Sequence, residues 1–311
     1  MFEQLFETLH FAYRQRAAFM AAVDALKEIL SAKVPFTKIG AAFMAVVELF
    51  SAAFWDTPRT PRGPELDLTG YELVFEDEFD GDAVDTDVWN VADCGYSKGW
   101  ETPDQLHVKD GALTITTEYK EDGPNGPGWY LGDLGLKEYY CKGYFEIRCK
   151  VFNNTSRRDF WSAFWITVDG ELNADISKGG VGGCEIDVYE AFSDNSRDLN
   201  YPVGITPALW CNGVDDDPDT IDGVNFGQWY SNDPVNEYNT YGVLWTDEYY
   251  AWYINGVECF RVSYGSGPSQ IPEEVRISMC SPTCAEENMT RTRDQSGEYV
   301  IDYVRIYQLA D

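Results

Sequence analysis

Glu185, Asp187 and Glu190 place three carboxylates within six residues of the run Gly183-Cys184-Glu185-Ile186-Asp187-Val188-Tyr189-Glu190-Ala191-Phe192, whose other members suit a β-strand. Nothing structural rewards such crowding. Carboxyl groups in pairs can divide acid, base and nucleophile roles between them, and cleavage of a glycosidic bond with retention asks for two of them roughly 5–5.5 Å apart. Side chains on a strand alternate between faces, so Glu185 and Asp187 share one face and Glu190 points away from it in a regular strand. One extra residue, a bulge at Val188-Tyr189, shifts the phase and returns Glu190 to the others. The α-carbons of Glu185 and Glu190 then stand about 13 Å apart, so both side chains must lean inward over Asp187.

The elements that must hold such a strand are also strands. From residue 71 onward, Ala112 to Thr117, Gly143 to Arg148 and Tyr299 to Ile306 are short, rich in β-branched and aromatic residues and bounded by turn formers. Asn255-Gly256, set among alternating apolar residues between Tyr249 and Phe260, marks a two-residue hairpin whose turn needs positive φ at both positions. No βαβ alternation accompanies them. The expected fold is all-β: an antiparallel β-sandwich over residues 61–311 with one face used as a cleft.

Residues 1–60 are different. Apolar stripes at helical spacing run through Phe2, Leu5, Phe6, Leu9 and Tyr13 and through Phe43, Val46, Val47, Phe50 and Phe54, separated by Pro35 and followed by Pro58, Pro61 and Pro64. They predict a helical hairpin and a stiff linker, packed on the domain or self-associating. The segment holds six basic and six acidic residues, so the whole imbalance of 23 basic against 53 acidic side chains falls on the remainder. Glu3 and Glu7 stand where an export signal carries positive charge, and the apolar run 39–55 contains Glu48 and is short for a membrane span. The expectation is therefore no cleavable signal and no membrane span, a cytoplasmic address by default, and secretion or cell-surface display as the alternative.

The formal net charge of −30 disfavours nucleic acid, anionic membranes and sulfated or phosphorylated polymers as partners. A neutral ligand is favoured, and an aromatic content of 15% suits the flat, half-polar faces of sugars as well as a large β core. Candidate sugar-binding aromatics are Trp161, Trp165, Trp210 and Trp129. Trp161 and Trp165 share one phase of Trp161-Ser162-Ala163-Phe164-Trp165-Ile166, and the expectation gives one to stacking and one to the core. The eight cysteines include no CxxC pair and only two histidines accompany them, which argues against zinc and for reduced core thiols, with Cys280 and Cys284 the nearest disulfide candidates.

The run Glu185-Ile186-Asp187-Val188-Tyr189-Glu190 resembles the bulged E-[ILV]-D-x-x-E signature of glycoside hydrolase family 16, in particular its laminarinase-like β-glucanases. The resemblance covers roughly residues 70–308. It extends through Leu73 to Phe79, Tyr144 to Arg148, Trp161 to Ile166, Thr240 to Thr246 and Asp302 to Tyr307. It implies a β-jelly roll, retaining endo-hydrolysis of a neutral β-glucan with β-1,3 or mixed β-1,3/1,4 linkages, Glu185 as nucleophile, Asp187 as its partner and Glu190 as acid/base. The alternatives are a transglycosylase on the same scaffold and a noncatalytic carbohydrate-binding protein. No cofactor is required. Some members hold a structural calcium on the convex face, which makes Asp302, with Glu78 and Gly111, a candidate site here. Laminarinase-like members often carry a histidine after the catalytic strand, and Pro207 to Cys211 has none. The aspartates at 215, 217 and 219 space like calcium ligands, but Thr220 stands where an EF-hand loop needs glycine. The glycine-rich run 179–183 lacks the Gly-Lys-Ser/Thr of a phosphate loop and reads as a flexible approach to the catalytic strand. His107, a lone histidine before a strand, reads as structural.

Overall fold

The computed structural model describes residues 59–96, 99–151, 160–168, 180–192, 205–212, 221–263, 267–280 and 296–310. The expected helical hairpin, the 213–220 acidic loop and the Cys280–Cys284 pairing lie wholly or partly outside them.

Two antiparallel sheets face each other. The front sheet runs β2 (Trp89–Val91), β7 (Gly128–Leu136), β16 (Glu274–Cys280), β9 (Trp161–Thr167), β10 (Glu185–Phe192), β11 (Thr206–Asn212) and β12 (Ile221–Asn225) in spatial order. The back sheet runs β5 (Leu106–Val108), β6 (Leu113–Lys120), β17 (Ser296–Leu309), β8 (Gly143–Lys150), β13 (Asn239–Trp245), β14 (Tyr250–Ile254) and β15 (Val257–Val262). β1 (Tyr71–Asp77) lies beside the second half of β17. β3 (Cys94–Tyr96) and β4 (Gly99–Glu101) add to β7, the latter in parallel. β7 belongs to both sheets, pairing first with β6 through Gly128–Tyr130 and then with β16 through Gly132–Gly135, so one curled β network results.

Period-two patterning accounts for the core. On β8, Phe145, Ile147 and Cys149 are fully buried while Glu146, Arg148 and Lys150 alternate with them. On β17 the inward set is Tyr299, Ile301, Val304 and Ile306, and the missing beat after Ile301 coincides with a slip in its register against β8. At the β14–β15 turn, Asn255 and Gly256 both take positive φ (50° and 74°), the geometry expected from the sequence. Cys94, Cys141, Cys149, Cys184 and Cys259 are free thiols; Cys149 and Cys184 are the buried core thiols expected, whereas Cys94 is exposed. Among the described residues no helix is long and apolar enough to cross a membrane.

Candidate active site

β10 sits in the middle of the front sheet between β9 and β11, and its register slips against both. Asp187 pairs with Trp165 and Ala208, whereas Glu190 pairs with Ala163 and Thr206. Directly paired residues share a face of the sheet. One row therefore runs Ala208, Asp187, Trp165, Arg276, Gly135 and the next runs Thr206, Glu190, Ala163, Ser278, Asp133. The two rows lie two residues apart on every neighbouring strand and three apart on β10. That difference is the bulge, and it puts Glu190 on the face of Asp187. The core confirms the phase from the other side, because Ile186, Val188, Tyr189 and Ala191 are all buried there, two of them consecutive.

Burial governs the electrostatics of the three acids. Glu185 is half-buried, and its pKa is raised by desolvation. Asp187, 3% exposed, is pushed well above the carboxylate range by burial and then by the Glu190 and Glu185 charges, against a lowering bond from Trp210. Glu190 is raised to about 7 by burial and then by the Glu185 charge, with the Trp161 side chain lowering it as a hydrogen-bond donor. The site thus favours protons at neutral pH, and Glu190 is a carboxyl that can act as an acid there.

The four tryptophans expected to meet sugar have different fates. Trp210 stands opposite Glu185, is 39% exposed, and donates its indole N–H to Asp187 Oδ2 at 3.0 Å. Trp161 is half-buried beside Glu190. Trp165 is half-buried too, with its N–H on Ser278 Oγ (3.2 Å) and the Arg276 guanidinium over its ring at 5.2 Å, so one face is already covered. Trp129 departs from the expectation of substrate contact. It is 2% exposed and packs edge-on against Tyr119 and Phe160, because its end of β7 turns toward the back sheet and its ring into the core.

Arg276 was not singled out by the sequence. Besides covering Trp165 it bonds the buried carboxylates of Glu274 (3.0 Å) and Asp133, placing a guanidinium in the row of Asp187. Its alternation with Val275 and Ile277 marks it as outward-facing, but no local signal tells which tryptophan lies opposite. Trp252 was missed for the same reason; it reaches the Asp187 backbone from the back sheet.

The residues singled out for calcium do not fit a cation as they stand. Asp302 is ion-paired with Arg148, and Glu78 accepts two bonds from Arg305 (2.9 and 2.6 Å). Gly111, with φ 74°, has only Asp80 near the position its Cβ would take. Among the described residues no three His, Cys, Asp or Glu side chains converge as metal donors. His107 is exposed on β5 of the back sheet, with Thr116 its neighbour, away from the three acids.

Residues 96–305 match the family described as Glycosyl hydrolases family 16. A glucan endo-1,3-beta-glucosidase A1 of Niallia circulans is 25% identical over 293 residues, covering 80% of this chain and 39% of that protein. An endo-1,3-1,4-beta-glycanase, ExsH, of Rhizobium meliloti (strain 1021) is 26% identical over 208 residues, 65% of this chain and 39% of its own length. The chain thus spans well under half of either relative. The catalytic domain of an endo-1,3-beta-glucanase (laminarinase) from Thermotoga petrophila RKU-1 superposes with a TM-score of 0.56 at 18% identity, over 78% of this chain and 99% of that one.

Proposed function

The chain belongs to glycosyl hydrolases family 16, and from that premise we propose that it is a retaining, endo-acting hydrolase of a neutral β-glucan with β-1,3 or mixed β-1,3/1,4 linkages. The observation that carries the reading is the register slip that puts Glu190 on the face of Asp187 and Glu185. In the proposed reaction Glu185 attacks the anomeric carbon while Glu190 gives its proton to the departing oxygen. Glu190 then takes a proton from the water that releases the sugar from Glu185. The electrostatics are compatible with this division: burial raises both glutamates and their charges repel, so one of the pair keeps its proton while the other ionises. Asp187 lies between them in sequence and is the most buried of the three, suited to sharing a proton with the nucleophile.

Linkage follows the activities of the two sequence relatives, and preference for an uncharged polymer follows the net charge of −30. The chemistry requires no cofactor. A structural calcium at Asp302, Glu78 and Gly111 would have to displace Arg148 and Arg305 from those carboxylates. The test is release of reducing ends from β-1,3, mixed-linkage and sulfated galactan polymers. Oligosaccharides should appear from the first two only, and Glu185→Gln should lower turnover by about 10³-fold or more while sugar binding persists. Binding without any release across a broad pH range would overturn the enzyme reading.

A further inference from the structure

Asp187 is held by two indoles from opposite sides. On the outer face of the front sheet Trp210 bonds its carboxylate, and on the core side Trp252 donates its N–H to the Asp187 backbone carbonyl at 2.9 Å. The second bond is unusual for a strand in mid-sheet. A ladder carbonyl points along the sheet toward a neighbouring strand, but Trp252 belongs to β14, in the opposite sheet. Its indole reaches the carbonyl only where that group is turned out of the sheet and into the core. Asp187 is where this happens, since it is the last residue in register with both β9 and β11 before the slip.

A carbonyl turned into a dry core must find a donor or forfeit the equivalent of a hydrogen bond. Trp252 is fixed in the position to supply one. It is 1% exposed, stacks on Phe260 at 4.8 Å and 13°, and packs on Phe226 and Tyr250 at 5.3 and 6.0 Å. The regular strand that competes with the bulge would return the carbonyl to the ladder and move Glu190 to the wrong face. We propose that Trp252 is a positioning residue that holds the β10 bulge, and through it the placement of Glu190 against Glu185. Burial of Val188 and Tyr189 favours the bulge, and the Trp252 bond selects the peptide at which it forms. The catalytic half of this proposal rests on the hydrolase reading above; the conformational half does not.

The experiment compares wild type with Trp252→Phe, which keeps an aromatic ring and removes the donor. A second variant carries benzothienylalanine at 252, which keeps the shape of the indole and replaces its N–H by sulfur, so that a folding failure of the first does not end the test. Phe260→Leu serves as a packing control. Amide hydrogen exchange should quicken by about tenfold or more in the segment 185–192 of both donor-less variants, with 143–150 unchanged, and not in the control. In the kinetic arm, kcat/KM on β-glucan should fall about tenfold or more, as expected when a general acid is misplaced. On a dinitrophenyl laminaribioside, whose leaving group departs without a proton, kcat/KM reports only the first step and should fall less than about threefold. Equal losses on the two substrates, or unchanged exchange in 185–192, would overturn the proposal. A wild type inactive on both substrates would instead overturn the hydrolase reading, and the exchange arm would still decide the role of Trp252.

Discussion

Glu190 keeps its proton to about pH 7 because burial and the Glu185 charge both oppose ionisation. An acid with that affinity sets the alkaline limb of activity: kcat/KM on a β-glucan should fall as pH rises through about 7, and a profile flat to about pH 9 would remove Glu190 from the acid's role. At this scale the sequence was informative about what stands on β10 and uninformative about what stands opposite. The three acids, their spacing and the slip at Val188-Tyr189 are local features. Trp252 meets Asp187 across a separation of 65 residues, and the ion pair of Arg276 with Asp133 spans 143, so neither contact has a local signature. Trp129 shows the opposite failure. A tryptophan in a strand reads equally well as a sugar platform or a core filler, and only its place on the stretch of β7 paired with β6 decides.

Among elements, hairpins and alternating strands were legible because their determinants are adjacent in the chain. The Asn255-Gly256 turn is the clearest case, and it can be tested without touching the three acids. A Cβ on Gly256 would meet nothing within 4 Å, so the effect of Gly256→Ala comes from φ 74° alone. Loss of about 1 kcal/mol in denaturant unfolding with unchanged turnover is expected. A loss several times larger would mean that the turn also carries packing. What the chain did not disclose was the switch of β7 between sheets or the slip after Ile301 in β17, since both depend on which partner each half of a strand finds. Bulges become readable when chemistry demands them, as on β10. Those that only shape the sandwich are silent.

For the whole molecule, the acidic balance and the buried acids act together. Glu273 is fully buried at the entry to β10, where it accepts the Cys184 N–H at 3.0 Å, and burial raises it to about 8; Asp133 is raised to about 7, again first by burial. A carboxyl whose folded pKa exceeds its unfolded value binds more protons when folded, so its contribution to stability is fully present below the unfolded pKa and is lost as pH rises through the folded one. For Glu273 that window runs from about 4.5 to about 8. Glu273→Gln should therefore be more stable than wild type at pH 9, by on the order of a few kcal/mol, with the advantage vanishing near pH 4. Urea unfolding at the two pH values checks this, and a pH-independent difference would assign Glu273 a packing role instead. The fold class was readable from periodicity, whereas the boundary expected near residue 60 borders residues outside the described ones, and the roles of residues 1–60 depend on tertiary partners that composition does not name.

The central claim is that Glu185 and Glu190 face one another across the bulge with unequal roles, and azide reports on it directly. In Glu190→Ala, an aryl β-laminaribioside with a good leaving group should still form the glycosyl-Glu185 intermediate, which azide then attacks from the face that water would use. The expected result is restored turnover with a β-glycosyl azide as product, identified by its anomeric NMR coupling. An α-glycosyl azide, or no rescue at all, would contradict it.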